Sequence, residues 1–131
     1  MGQSLVEFCA VLPLAILLFA AVIDGGYMML VAINIHTGVR EGAQLALYDK
    51  AFSNDTIKKR IKDSVYAAPI ADSEITIAQT ANITIGSTVH QAYEIKVNHK
   101  HYFLLPFVFA AQSTIDLQST ITSMVVTGLT P

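Results

Sequence analysis

The sequence predicts an α+β fold, in which a long N-terminal helix precedes a small domain of one short helix and an antiparallel sheet. Three observations predict it. An uncharged apolar run lies near the N-terminus, apolar residues at a spacing of four follow in the middle, and alternating apolar and polar residues fill much of the last half. The chain of 131 residues has room for one domain of ordinary size.

The first predicted element is one helix over residues 3–48. Residues 8–23 carry no charge, and with residues 3–7 they supply about twenty residues, the ~30 Å of helix that a bilayer core requires. Two weak points are Pro13, which removes a hydrogen bond, and Asp24-Gly25-Gly26. We expect Asp24 to be solvated where the helix leaves the membrane. The first quarter of the chain therefore belongs in lipid or in equally apolar protein.

A cleaved secretion signal is the competing interpretation of this apolar run. Such signals combine a basic start, a shorter apolar core and a small-residue cleavage site. Here no Lys or Arg precedes the run, and the helical pattern continues to Tyr48. These features favour an anchor that is retained. The single cysteine, Cys9, lies inside the run, so no disulfide can form within the chain.

Small residues recur every four positions in the second half of the long helix, at Gly38, Gly42 and Ala46. This spacing puts them on one helix face, where another element can approach closely. Two partners are open at this point, the chain's own sheet and a neighbouring chain.

The middle of the chain predicts a short amphipathic helix over about residues 55–68. Ser53, Asn54 and Asp55 are typical of a helix start, and Pro69 closes the pattern. Residues 50–62 hold five basic residues and one acidic residue. A solvated helix face or a membrane-proximal patch explains them better than DNA binding does, because the net charge of the whole chain is −2.

Antiparallel strands are predicted between about residues 74 and 126. The longest alternation runs from 93 to 103, and another runs from 114 to 126. A sheet with one covered face fits this pattern, and the second half of the long helix is the surface available to cover it. His99 and His101 fall on the apolar face, where hydrogen-bonded, half-buried histidines are expected rather than a metal site.

No motif for catalysis, a cofactor or a metal is recognised in the sequence, which contains neither a nucleophile elbow nor a phosphate-binding loop. We expect no enzyme. The one residue that demands a function is Glu7, at the head of the apolar run. A carboxylate in hydrocarbon costs ~2.5 kcal/mol or more, so it requires either a partner or a position among lipid head groups.

The start of the chain resembles substrates of prepilin peptidases. Gly2 is followed by apolar residues, with Glu7 at the fifth position after it and Phe8 at the sixth. The string GQSLVEFCAVLPLAILLFAAVIDGGY is similar to TadE-like minor pilins of tight-adherence (Tad/Flp) type IV pilus systems. VREGAQLAL at 39–47 resembles the family's AAREGAR stretch, and the strand leading to Leu105-Pro106 is loosely similar.

The resemblance implies a type IV pilin-like fold and a role in assembly. Residues 1–2 would be a leader remnant, with cleavage between Gly2 and Gln3, residues 3–48 the membrane anchor and filament core, and residues 49–131 the globular head. Glu7, Phe8, the Asp24-Gly25-Gly26 segment, Gly38 and Gly42 are the expected assembly residues. Only Met1 precedes Gly2, whereas family leaders carry basic residues there, so the reading frame starts upstream or the leader is minimal.

The expected partners are other pilin subunits, a prepilin peptidase, the inner-membrane assembly platform and, before assembly, membrane lipid. No nucleic acid is expected. The protein would wait in the bacterial inner membrane and then enter an extracellular pilus for surface attachment. Two alternatives remain open, a single-pass membrane protein whose head binds a partner without polymerising, and a type II secretion pseudopilin.

Overall fold

A computed structural model describes residues 3–48, 53–85, 88–103 and 114–125 of the chain. The elements in order are helix α1 (Gln3–Tyr48), helix α2 (Asn54–Ser64), a 3-10 turn (Asp72–Glu74) and strands β1 (Ile75–Ile85), β2 (Thr88–Tyr102) and β3 (Thr114–Val125). The strands form an antiparallel sheet in the order β1-β2-β3. The predicted α+β, pilin-like fold is confirmed. Gly2 and Leu105-Pro106 lie outside the described residues.

Helix α1 runs without interruption for 46 residues, about 69 Å at 1.5 Å per residue. Both predicted weak points are helical: Pro13 lies inside the helix, and so do Gly25 and Gly26. A lone proline removes one backbone bond in a helix of this length, and the flanking turns remain intact. The first half of α1 stands apart from the head, and the second half lies against it.

Helix α2 begins as the sequence predicts and ends earlier. The Ser53 hydroxyl accepts a hydrogen bond from the Thr56 backbone N–H at 3.2 Å, which caps the helix. The helix ends at Ser64 rather than near residue 68, because Val65 has an extended backbone with φ −99° and ψ 100°. Ile57 and Ile61 are fully buried, whereas Lys59, Arg60 and Lys62 are exposed. The basic residues that are described thus belong to a solvated helix face.

The small residues of α1 pack against α2, a partner that the sequence analysis did not name. A Cβ atom added at Gly38 would lie 2.5 Å from Val65 Cγ2 and 3.2 Å from the Ile61 carbonyl oxygen. A Cβ atom at Gly42 would lie 2.7 Å from Ile61 Cγ1. The two glycines therefore let α2 approach α1 closely within one chain, and this face of α1 is covered before any assembly.

The sheet covers the adjacent face of α1, as the alternation predicts. β2 pairs with β3 in a register that includes Ile95 opposite Ile121, and with β1 in one that includes Val97 opposite Ile75. The Ser123 hydroxyl donates to the Ala43 carbonyl oxygen at 3.1 Å, a bond that ties β3 to α1. Residues of α1, α2, the segment after α2, β1 and β2 form the buried apolar core, and Leu117 and Ile121 of β3 pack against it while partly buried. The buried residues are Val31, Ile35, Val39, Ala43, Ala46, Ile57, Ile61, Val65, Ala68, Ile70, Ile75, Ile95 and Val97.

The glycines of α1 give a matched pair of stability predictions. We expect Gly38→Ala to lower the free energy of unfolding by about 1–3 kcal/mol, because the new methyl group would lie 2.5 Å from Val65 Cγ2, with the Ile61 carbonyl oxygen at 3.2 Å behind it, so Val65 must shift. The measurement is thermal unfolding of the full-length protein in detergent, followed by near-ultraviolet circular dichroism.

Gly26→Ala is the control, because a Cβ at Gly26 would have no atom within 4 Å. There the better helix propensity of alanine should raise stability by about 0.5–1 kcal/mol. Equal shifts in the same direction for both variants would contradict the packing of α2 on Gly38.

Candidate assembly surface and its junction with the head

Residues 4–23 of α1, which we call the bare segment, present large apolar side chains to the surroundings. α1 is long and apolar enough to cross a membrane, with a mean hydropathy of 2.6 and no buried residue in its most apolar window. A helix that is apolar on all sides is typical of a membrane span or a protein interior. Its exposed apolar residues are Leu5, Val6, Phe8, Val11, Leu12, Leu14, Ile16, Leu17, Leu18, Phe19, Val22 and Ile23.

Glu7 and Phe8 both lie on the bare segment and are exposed, Phe8 at 63%. Among the described residues, the head contacts α1 only farther along the helix, toward its C-terminal end and well beyond Glu7 and Phe8. The structure thus leaves both residues available to lipid or to another chain, and their role in assembly stays a prediction. The same holds for cleavage after Gly2, since residues 1–2 are outside the described part and Gln3 is described only as the first residue of the helix.

Asp24 is buried, with 1% of its surface exposed, so the expectation that it is solvated is wrong in this structure. It lies seven residues before Val31, two helical turns away on the same face, and that face is the one that packs on the head. Asp24 therefore lies where the part of α1 that the head covers begins, and its side chain is not exposed to water.

Tyr27, three residues after Asp24, joins α1 to the segment after α2 and to β2. Its hydroxyl donates to the Ala67 carbonyl oxygen at 2.8 Å, and its ring lies 5.6 Å from the ring of His101 on β2. His101 in turn contacts Phe103 edge to face at 5.6 Å. We call this cluster of Tyr27, His101 and Phe103, with Asp24 beside it, the junction.

Gly25 and Gly26 have no packing reason to be glycine in this structure, because a Cβ at either would have open space around it. Each glycine costs a helix about 1 kcal/mol relative to alanine. The cost is not offset by any close approach here, in contrast to Gly38 and Gly42. The predicted part of Gly25 and Gly26 in assembly stays a prediction.

The two histidines of β2 have different environments. His99 Nδ1 lies 2.9 Å from Glu74 Oε1, and the other carboxylate oxygen of Glu74 accepts the Ala71 backbone N–H at 2.7 Å. His99 is thus the hydrogen-bonded histidine that the sequence predicts. His101 is 3% exposed, and its Nε2 has no hydrogen-bond partner among the described residues. Burial lowers the pKa of His101, while the negative charge of Asp24 opposes the shift and nearby His99 adds to it.

Metal ligation finds no geometric support among residues 3–48, 53–85, 88–103 and 114–125. Within those ranges, no group of three His, Cys, Asp or Glu side chains could hold a metal ion. His101 instead contributes an aromatic ring to the junction.

Glu41 is a contact residue that the sequence analysis missed. Its Oε2 lies 3.0 Å from Arg60 Nη2 and accepts the Ser64 hydroxyl at 2.7 Å, so α1 and α2 are linked. Such an exposed pair contributes at most about 1 kcal/mol, so it orients α2 more than it stabilises the fold. The available signal was charge: Glu41 is the one acidic residue between positions 25 and 48, and a basic helix follows.

These features fit a membrane-anchored protein with a pilin-like arrangement, in which a bare apolar segment of one helix continues into a segment that packs against a small head. A family model described as TadE-like protein matches residues 2–44. The resemblance to TadE-like proteins is thereby confirmed over about a third of the chain, most of α1. No curated protein and no solved structure matches the chain. The family match indicates an association with a Tad pilus system and with pilus-associated partners in general.

The buried His101 predicts a pH dependence of stability. Because its pKa is lowered in the fold, the unfolded chain binds the proton more tightly, and stability falls as the pH drops below the ordinary histidine pKa near 6.5. Thermal midpoints of the wild type measured between about pH 7.5 and 5.5 should fall more steeply than those of His101→Phe, in which this group cannot titrate. His101→Gln, which also cannot titrate at this position, is the second variant. If the thermal midpoints of both variants fall with pH as steeply as those of the wild type, His101 is not the group responsible.

Proposed function

We propose that this protein is a structural subunit of a Tad/Flp type IV pilus, a minor or tip pilin that assembles through α1 for surface attachment. The observation that carries the proposal is the division of α1. The chain's own head covers one side of its second half, whereas no described residue of the head covers its first half, which has Glu7 at the start. Such a segment needs lipid or a bundle of like segments around it.

Glu7 supplies a reason for assembly in a defined register. Cleavage between Gly2 and Gln3 gives a new α-amine at Gln3, and staggered subunits bring one chain's amine to the Glu7 carboxylate of its neighbour. In an apolar filament core, leaving either charge unpaired costs ~3–5 kcal/mol. A subunit docked in the wrong register leaves these charges unpaired and is less stable by that amount. The charge pair therefore favours one stagger among the many that apolar packing alone would permit.

The partners follow from this pathway. A prepilin peptidase would remove residues 1–2, and the inner-membrane assembly platform would lift α1 out of lipid into contact with other pilin subunits. Gly25 and Gly26 support a change of helix geometry at that step, since they weaken α1 without serving its packing in the single chain. Unwinding there would let the head tilt relative to the bare segment.

The size of the head favours a minor, initiating or tip subunit. The short major Flp pilins resemble little more than residues 3–40 of this chain, whereas here α2 and a sheet follow. Within the described residues the head packs on one side of the second half of α1 and leaves the bare segment uncovered, so that segment is available to enter a bundle of shorter pilin helices. The size of the head therefore disfavours a filament built wholly of this chain.

A single-pass membrane protein whose head binds a partner without polymerising is the second candidate. The junction favours it, because Tyr27 fixes the head on α1 within the single chain, before any assembly. It predicts no cleavage after Gly2 and full tolerance of changes at Glu7. A type II secretion pseudopilin would share the fold and the cleavage, and the genes next to this one would separate it from a pilus subunit.

The test is Glu7→Leu, with the amount of protein in membranes and in sheared extracellular filaments measured by immunoblot. Insertion should be unchanged or better, because the change removes a carboxylate from the start of an apolar helix. Entry into filaments should fall to a small fraction of the wild-type level, because the neighbour's amine loses its partner.

Val6→Leu is the matched control, since Val6 is a neighbouring residue, 68% exposed, and gains bulk without any change of charge. It should enter filaments as the wild type does. Recovery of Glu7→Leu in filaments at the level of Val6→Leu would overturn the charge-pairing argument.

A further inference from the structure

Large apolar side chains that are exposed on the head are concentrated at one end of it. In the described ranges of the head, 53–85, 88–103 and 114–125, they are Tyr66 at 82%, Tyr102 at 68% and Ile115 at 37%. All three adjoin the junction. Tyr66 precedes Ala67, which bonds to Tyr27; Tyr102 follows His101; and Ile115 is the β3 residue paired with His101.

This end of the head faces the bare segment. Tyr27 contacts Ala67 and His101, whereas Ala43, farther along α1, contacts Ser123 on β3. α2 therefore descends toward residue 27, β2 ends there and β3 starts there. The three exposed side chains come from separate segments, and all of them lie at the end of the head where α1 leaves it.

The distance along α1 puts these side chains at the height of lipid head groups. If residues 4–23 span the hydrocarbon core, Tyr27 lies four residues beyond it, about 6 Å along the helix. The head-group layer is about 5–7 Å thick on each side of a bilayer. Tyrosine is enriched in this layer because its ring is apolar and its hydroxyl is polar.

The charges at this end nearly cancel. Exposed Lys100 on β2 is paired in register with exposed Asp116 on β3, and Lys62 forms an ion pair with Asp72 at 2.8 Å. Glu74 is bonded to His99. No basic patch of the kind that anionic lipids attract is present among these described residues. The surface therefore suits the lipid interface through its tyrosines, not through electrostatic attraction.

We propose that the junction end of the head rests on the membrane surface before assembly, with Tyr66, Tyr102, Tyr27 and Ile115 in the head-group layer. This seats the head against the bilayer and holds α1 at one depth, because raising the protein would pull the ring of tyrosines into water. The proposal requires that α1 spans a membrane, and it does not depend on polymerisation.

The experiment places a single tryptophan in a chain that has none. Tyr66→Trp and Tyr102→Trp replace exposed aromatic residues, so the fold is under no strain. Thr84→Trp is the control, at an exposed site in the part of β1 that pairs near Val89, about 40 Å along β2 from Tyr102. Each full-length variant is reconstituted at high dilution in phosphatidylcholine vesicles, and its fluorescence is compared with that in the same lipid brominated near the head of the acyl chain.

The expected result is loss of fluorescence in brominated lipid for Tyr66→Trp and Tyr102→Trp, and none for Thr84→Trp. Acrylamide in the outer solution should quench the fluorescence of Thr84→Trp strongly and that of Tyr66→Trp and Tyr102→Trp weakly. The losses should be unchanged when phosphatidylglycerol replaces part of the phosphatidylcholine or when salt is raised, because no net charge is involved.

Two results would overturn the proposal. Quenching by acrylamide but not by brominated lipid at Tyr66 and Tyr102 would put this end of the head in water. Protection from both quenchers that disappears on dilution would mean that a second copy covers the surface instead of lipid. Neither result bears on the Glu7→Leu filament test, so this proposal and the pilin proposal fail separately.

Discussion

The packing of α1 against the head between Asp24 and Ala46 is the interaction on which the rest of the structure depends. α2 touches α1 where Gly38 and Gly42 leave room for Ile57, Ile61 and Val65, and β3 is bonded to α1 through Ser123. A sheet with one apolar face must bury that face against another element. α1 provides the cover, so the head exists only as a continuation of the same helix that carries the bare segment.

This arrangement assigns separate tasks to the two halves of one helix. One side of the second half is packed against the head within the chain, and loss of that packing would unfold the head. The first half presents apolar side chains all round, and lipid and a bundle of similar helices are nearly equivalent environments for them. Transfer between those environments therefore costs little apolar free energy. The pairing of a charged residue such as Glu7 then determines which packing arrangement of the helices is stable.

The sequence alone was sufficient for the parts that repeat in a regular pattern. The apolar run of α1, the alternation in β2 and β3 and the Ser53 cap each predicted their element, because each signal is local. Contacts between elements were harder to predict from the sequence. The burial of Asp24 depends on where the head first touches α1, and the partner of Gly38 and Gly42 depends on the path of α2, which no local pattern fixes. α2 ends at Ser64 because Val65 turns to an extended backbone under Gly38, a tertiary constraint that the apolar spacing does not record.

The measurement that tests the central claim most directly is the intact mass of this protein, taken separately from membranes and from sheared extracellular material. The account predicts a species that starts at Gln3 in the sheared fraction, because only a processed chain has the free amine that Glu7 requires and only an assembled one leaves the membrane. A species that still includes Met1 and Gly2, found in membranes and not in sheared material, would contradict it. Glu7 would then have no such partner, and the protein would be an anchored head that does not polymerise.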